Sequence, residues 1–186
     1  MEQAKNEKNE VLEWVKALVI AVGLSLLIRY LLFTPIVVDG ESMMPTLENG
    51  DRMIVNKIGY EIGKPDRFDI VVFHASEKED YIKRVIGLPG DHVAYKDDQL
   101  FVNGEAIPEP YLDKYKAEIP SGTLTENFTL EEYTQLSVIP EGSVFVMGDN
   151  RRHSTDSREF GLISIKDIIG KTNVIFWPPN EIKHIE

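Results

Sequence analysis

The sequence contains no cysteine, which excludes disulfide bonds, a thiol nucleophile and thiolate ligands to a metal ion. The chain has few histidines, and they are scattered at His74, His92, His153 and His184. No zinc-binding spacing and no glycine-rich phosphate loop are present. We therefore expect neither a metal ion nor a cofactor.

Positive charge is also scarce, with 20 Lys and Arg against 31 Asp and Glu, for a net charge of −11. Because a phosphate-binding surface needs clustered basic residues, this balance argues against nucleic acid as a partner. The hydrophobic fraction of 42% and the charged fraction of 27% are typical of a folded protein. The length of 186 residues fits one globular domain.

One long apolar run does occur, at residues 14–33. Twenty helical residues extend about 30 Å, which is the thickness of the hydrocarbon core of a bilayer. Trp14 and Tyr30 would lie at the two interfaces, and the two charges inside the run, Lys16 and Arg29, lie near its ends. The pattern predicts a tail at residues 1–13 followed by a transmembrane anchor.

The distribution of basic residues predicts the orientation of this anchor. Lys5 and Lys8 precede the run and Lys16 lies near its start, whereas no Lys or Arg lies between Arg29 and Arg52. By the positive-inside rule, the N-terminus is cytoplasmic and residues 34–186 are extracytoplasmic, as a single-pass protein of the cell membrane. Two alternatives remain: a cleavable signal peptide, which should end in small residues, and a buried helix of a soluble protein.

Beyond the run, short β-rich segments alternate with Gly, Pro, Asn and Asp. This spacing predicts a mainly β, antiparallel domain without a long amphipathic helix. The predicted strands are Ile36–Val38, Arg52–Asn56, Asp69–Phe73, Tyr81–Ile86, His92–Tyr95, Leu100–Val102, Ser143–Met147 and Lys171–Phe176. Residues 108–140 are rich in Glu, Lys, Tyr, Ser and Thr, and predict a surface insertion in residues 34–186.

Three segments carry candidate chemistry. Ser42 begins the first, Ser-Met-Met-Pro-Thr-Leu at 42–47, about eight residues beyond the apolar run. The second, Tyr-Ile-Lys-Arg-Val-Ile-Gly-Leu-Pro-Gly-Asp at 81–91, places Lys83 in a β-branched strand, where burial would lower its pKa. The third, 148–158, begins Gly-Asp-Asn-Arg and ends Ser-Thr-Asp-Ser-Arg. A hydroxyl becomes a good nucleophile only when a base removes its proton, and an uncharged lysine is one such base.

Together, in this order and behind an anchor, the three segments resemble the boxes of bacterial type I signal peptidases. The resemblance extends to about Trp177 and implies a Ser-Lys dyad, with Ser42 as nucleophile and Lys83 as general base. It further implies that Ser154 orients the lysine amine. The remaining matching positions are implied to maintain the site: Gly40, Met43, Pro45, Arg84, Gly148, Asp149, Asn150, Arg151, Asp156, Ser157 and Arg158.

The resemblance also implies the treatment of the oxyanion. The backbone N–H of Ser42 would donate to it, as a preorganised donor. Some family members add a hydroxyl two positions earlier, where this chain has Gly40. A second donor therefore stays unassigned.

The implied substrates are secretory preproteins, cleaved after small residues beside the lipid bilayer. An extended peptide could add alongside the strand of Lys83, with alternate side chains in shallow apolar pockets. The candidates for lining these pockets are Ile36, Val38, Ile82 and Val144. The sequence leaves the oligomeric state and the preferred preproteins open.

Three other functions compete. His153 could act as the base with Asp149 or Asp156, in a Ser-His-Asp arrangement. A self-cleaving repressor would share the Ser-Lys pair, but it needs a DNA-binding module where this chain is apolar. A tethered β module could bind a partner without catalysis.

Overall fold

The computed structural model of the chain describes most of its residues, namely 2–57, 64–76 and 79–185. Within the first helix, the side chains of residues 2–11 and 28–31 lie outside this description. Two compact units are distinguished, Met1–Thr34 and Pro35–Glu186.

The first unit consists mainly of one helix, α1, from Glu2 to Leu32. Its apolar side chains are exposed between Leu12 and Leu27, and Trp14 is 77% exposed. Over the described ranges, no helix combines the length and hydropathy of a membrane span. The anchor predicted at residues 14–33 is thus not confirmed and stays a prediction; the side chains of Arg29 and Tyr30 lie outside those described.

The second unit contains two antiparallel sheets. Among the described residues, the larger sheet has eight strands: β1 Phe33–Val37, β2 Arg52–Asn56, β3 Ile70–His74, β4 Asp80–Gly87, β9 Ser143–Met147, β10 Ile163–Ser164, β11 Ile168–Trp177 and β12 Lys183–His184. Their order is β1-β2-β11-β3-β4-β9-β10, with β12 paired to β11. The smaller sheet, ordered β7-β6-β5-β8, contains β5 Val93–Lys96, β6 Gln99–Val102, β7 Glu105–Ile107 and β8 Phe128–Thr129.

The mainly β, antiparallel fold predicted from the sequence is confirmed. Each predicted strand has a counterpart, and the bounds of Arg52–Asn56 and Ser143–Met147 are those predicted. Both strands alternate or run apolar between turn residues, as strands of a half-buried or buried sheet do.

Helices in the second unit are short. The α-helices of its described residues are α2 Asp113–Glu118, α3 Leu130–Thr134 and α4 Ser157–Phe160, and the 3-10 helices are Pro110–Leu112, Ile165–Asp167 and Pro179–Glu181. A capping box between Thr129 and Glu132 begins α3. Asp156 caps α4 by accepting a hydrogen bond from the Arg158 N–H.

Residues 108–140 differ from the surface insertion that their composition predicts. Strand β8 lies in this segment and pairs with β5, with Phe128 opposite Tyr95. Five of its apolar side chains are buried, namely Leu112, Leu124, Phe128, Leu130 and Ile139. These five apolar residues are separated by polar residues, so the average composition of the segment did not indicate that they would be buried. The segment completes the second sheet.

Candidate active site

Ser42 lies in a turn between β1 and β2. Met43 and Leu47 anchor this turn, because both are buried in a core cluster with Val38, Met53, Ile70, Ile175 and Ile185. Full burial of such a side chain contributes about 1.5–3 kcal/mol. Pro45 is exposed on the turn, and Ser42 itself is half-buried. The apolar neighbours thus fix the backbone while leaving the hydroxyl accessible.

Lys83 lies on β4, opposite Val71 of β3, and is only 3% exposed. Its Nζ donates to Ser42 Oγ at 2.8 Å and to the Ile82 carbonyl at 3.0 Å. The structure thus brings together the two residues predicted to form the dyad.

The environment of Lys83 destabilises its ammonium. Burial lowers the pKa of Lys83 to about 8 from 10.5, while the charges of Asp156 and Asp149 act in the opposite direction. A substantial fraction of the amine is therefore unprotonated in mildly alkaline solution, and can accept a proton.

A cleft of about 360 Å³ opens over the pair. Val38, Gly40 and Met43 line one side, and Tyr81 and Ile82 line another. Of the predicted pocket residues, Val38 and Ile82 border this cleft, but Ile36 and Val144 are not among its lining residues. Val144 is instead buried in a separate core cluster that includes Val71 of β3 and Val85 of β4.

One edge of β4 is available beside this cleft. Among the described residues, β9 pairs with β4 only from Arg84 to Gly87. The stretch from Asp80 to Lys83 therefore has β3 on one side and no strand on the other. Such an edge can accept an extended peptide as an added strand.

The loop after β9 supports the nucleophile turn. Asn150 donates its backbone N–H to the Ser42 carbonyl at 3.1 Å, and its side-chain Nδ2 to the Glu41 carbonyl at 3.1 Å. Gly148 packs so closely that a Cβ there would overlap Ser42 O and Ser154 Oγ. Only glycine fits between the loop and the turn.

Ser154 lies at the same place, with its hydroxyl buried and without a hydrogen-bond partner among the described residues. The resemblance implies that Ser154 orients the Lys83 amine, but the Ser154 hydroxyl makes no hydrogen bond to that amine here. Ser154 also borders a second cavity of about 550 Å³, together with Arg152 and Arg158.

Asp156 organises the end of the loop. Its carboxylate accepts the Gly148 N–H at 3.0 Å and two guanidinium N–H groups of Arg158 at 2.8 Å. The neighbouring Ser157 Oγ accepts the Val146 N–H at 2.9 Å. These bonds attach the loop to β9.

Arg84, the residue after Lys83, forms a fully buried bidentate pair with Asp149 at 2.8 and 2.9 Å. Thr46 Oγ1, in the nucleophile turn, also donates to Asp149. Burial opposes the charge on Arg84, but the contacts with Asp149 raise its pKa above the ordinary value. This pair joins β4, the loop and the turn.

Arg151 pairs with Glu109, a residue the sequence analysis left without a role. The Glu109 carboxylate also accepts the hydroxyls of Tyr95 and Tyr111, both at 2.7 Å. Although burial opposes the charge of Arg151, its contacts with Tyr95 and Glu109 raise its pKa well above the ordinary value. In the sequence, this pairing was indicated only by the position of Glu109 between Pro108 and Pro110.

His153 lines the cleft but is exposed, and its backbone N–H donates to the Asn150 carbonyl. Lys83, and not His153, makes the hydrogen bond to Ser42. Within the described ranges, no group of three His, Asp or Glu side chains is arranged to hold a metal ion.

Comparison with known proteins identifies the family of the chain. The family described as "Signal peptidase, peptidase S26" matches residues 11–177. Signal peptidase I of Bacillus caldolyticus is 50% identical over 178 residues, covering 96% of each chain. Signal peptidase IB of Staphylococcus aureus (strain COL) is 42% identical over 181 residues, covering 95% of each.

A solved structure agrees with these matches. The crystal structure of a signal peptidase I from Enterococcus faecalis V583 is 44% identical, with a TM-score of 0.56, and covers 59% of this chain and 97% of its own. The family that the three sequence segments predict is confirmed. The chain belongs to the signal peptidase family, peptidase S26.

Proposed function

We propose that this signal peptidase is a membrane-anchored serine endopeptidase that removes signal peptides from secreted preproteins by a Ser-Lys mechanism. The observation that carries the proposal is the 2.8 Å hydrogen bond between Lys83 Nζ and Ser42 Oγ in the cleft. The lowered pKa of Lys83, about 8, supports its role as the base.

The reaction begins when the uncharged Lys83 amine takes the proton of the Ser42 hydroxyl as Oγ attacks the scissile carbonyl carbon. The carbonyl π electrons move to oxygen, and the Ser42 N–H stabilises the resulting oxyanion. When this intermediate collapses, the C–N bond breaks and the Lys83 ammonium returns the proton to the leaving amine. The product is an ester of Ser42.

A water molecule then attacks this ester, with Lys83 again as base. The second collapse expels Ser42 Oγ, which regains its proton and releases the signal peptide with a free carboxyl group. The unpartnered hydroxyl of Ser154 is the group proposed to orient the amine during these transfers.

We propose that cleavage occurs after small residues, as the family resemblance implies. An extended peptide on the open edge of β4 would direct alternate side chains toward Val38 and Ile82. We expect a bulky residue at the first or third position before the scissile bond to suppress processing. Precursor variants incubated with the enzyme test this, and equal processing of all variants would contradict it.

The anchor proposal depends on residues 14–33. The apolar composition of this run, its exposed side chains from Leu12 to Leu27 and the excess of Lys on its N-terminal side support it. Residues 34–186 would then act outside the cytoplasm, where the preproteins emerge from the bilayer. Protease treatment of wall-stripped cells should digest this part, whereas protection of it would reverse the orientation.

The dyad is tested by incubating purified full-length protein with a preprotein. Ser42→Ala and Lys83→Ala should each reduce cleavage at least about 10³-fold, since neither remaining group can activate the attack alone. Activity that survives both substitutions would exclude the dyad, whereas a wild-type protein without activity would leave the binding-module alternative.

A further inference from the structure

The peptide bond between Glu41 and Ser42 carries the oxyanion donor of the proposed reaction. The Glu41 C=O and the Ser42 N–H belong to one planar trans unit, and point in opposite directions. Whatever holds the carbonyl therefore also aims the N–H. Among the described residues, the Ser42 N–H makes no hydrogen bond, so it is available to a ligand.

Two donors hold the carbonyl. The backbone N–H of Met44 donates to Glu41 O at 3.1 Å, closing the turn. The Asn150 side chain donates to the same oxygen through Nδ2 at 3.1 Å. Since Asn150 also donates its backbone N–H to Ser42 O, one residue fixes the peptide planes on both sides of the nucleophile.

The orientation of the Asn150 amide is set by Tyr115. The Tyr115 hydroxyl donates to Asn150 Oδ1 at 3.2 Å, which leaves Nδ2 directed at Glu41 O. Tyr115 lies in α2, within the 108–140 segment, to which no function was assigned from the sequence. Asn150 is 5% exposed, so this arrangement is largely shielded from water.

The arrangement matters because the nucleophile turn offers no second donor at Gly40. A hydrogen bond to the carbonyl polarises an amide and strengthens its N–H as a donor. The aim and strength of one N–H then decide how well the oxyanion is stabilised.

We propose that Asn150 and Tyr115 are positioning residues, which aim the Ser42 N–H at the oxyanion through the Glu41 carbonyl. The inference rests on the proposed Ser-Lys function and assigns part of the 108–140 segment to it. Neither residue is among those that line the cleft.

The test compares Asn150→Ala and Tyr115→Phe in the full-length enzyme. Loss of an oxyanion donor lowers kcat by about 10²–10³-fold, so misdirecting it should cost about 10–100-fold in Asn150→Ala and about 3–10-fold in Tyr115→Phe. KM and the pH dependence should stay unchanged, because both side chains are neutral. Tyr115→Phe should add nothing in the Asn150→Ala background.

Inhibitor binding separates aiming from folding. A peptide aldehyde adds to Ser42 and places an oxygen in the oxyanion position, whereas the matching peptide alcohol does not react. Both variants should lose aldehyde affinity by the factor lost in kcat, and keep alcohol affinity. The matched control is Tyr133→Phe, a 39% exposed tyrosine of the same segment, which should resemble the wild type.

Two results would overturn the inference. One is an unchanged kcat in both variants while Ser42→Ala and Lys83→Ala are inactive, which leaves the proposed function intact. The other is an equal loss of aldehyde and alcohol affinity, which indicates a general disturbance of the cleft. Activity in the Ser42→Ala and Lys83→Ala variants would instead refute the dyad itself.

Discussion

The cleft contains one buried cation, and the charged network formed by the Arg84–Asp149 and Arg151–Glu109 pairs contains two. The pKa of the first cation and the pKa values of the other two are shifted in opposite directions. Lys83 is 3% exposed, has no carboxylate within ion-pair distance among the described residues, and has a lowered pKa. Arg84 and Arg151 are 0% and 2% exposed, each contacts a carboxylate, and the pKa of each is raised. Burial alone therefore does not decide whether a cation keeps its proton.

The comparison shows how one short segment produces both outcomes. Lys83 and Arg84 are adjacent on β4, so their side chains project to opposite faces of the sheet. One face meets the hydroxyl of Ser42, and the other meets the carboxylate of Asp149. The charged network holds the loop, and the proposed mechanism assigns the proton transfers to the uncharged amine.

The largest effect is expected where a carboxylate is removed from the network. Asp149→Asn removes the carboxylate charge that faces the buried Arg84 guanidinium, and should lower the free energy of unfolding by about 3–5 kcal/mol. Denaturant unfolding of the purified protein measures this. Glu131→Gln, which removes an exposed pair with His92, is the control and should change little. An equal loss of unfolding free energy in both variants would contradict the expected difference between a buried and an exposed ion pair.

Removing the unpaired cation should have the opposite sign. The pKa of Lys83 is about 8 in the folded chain, whereas the ordinary value for a lysine, which applies to the unfolded chain, is 10.5. Between pH 8 and pH 10.5 the unfolded chain binds more protons than the folded chain, so the lowered pKa of Lys83 makes the free energy of unfolding rise with pH. The loss of stability caused by burying Lys83 reaches its full value below pH 8. Lys83→Met should therefore be inactive but more stable at pH 7, by up to about 3 kcal/mol.

The pH dependence of that gain is its check. Unfolding of wild type and Lys83→Met should differ most below pH 8, and the difference should shrink toward pH 10.5. If Lys83→Met is less stable than the wild type at pH 7, burial of the Lys83 ammonium does not destabilise the folded chain.

A smaller effect is expected from changing the charge near the amine. The Asp156 carboxylate raises the pKa of Lys83, against the effect of burial. Asp156→Asn should move the acid limb of kcat/KM to lower pH by less than about one unit. The exposed neighbour Glu159, changed to Gln, should leave the profile in place. A shift to higher pH in Asp156→Asn would reverse the proposed electrostatics.

The smallest effect concerns the rival base. His153→Ala should leave kcat/KM within about twofold, because among the described residues it is Lys83 that makes the hydrogen bond to the Ser42 hydroxyl. The same preprotein assay applies. A loss as severe as that of Lys83→Ala would transfer the role of base to His153.

The sequence predicted those parts of the molecule that depend on local pattern. Strands such as Arg52–Asn56 follow from β-branched residues between turn formers, and the dyad follows from family boxes. The pairing of Glu109 with Arg151, of Thr46 with Asp149 and of Tyr115 with Asn150 joins residues 35 to 103 positions apart. These contacts depend on how distant segments pack in the folded chain, and a local sequence pattern does not contain that information.

The contact between Asn150 and the nucleophile turn also has a temporal consequence. Ribosomes make Ser42 early and its supporting loop more than 100 residues later. A nascent chain that has already displayed its serine and lysine still lacks Asn150 and everything that Asn150 fastens. Proteolytic competence is thus expected to arise only after the loop that follows β9 has been synthesised.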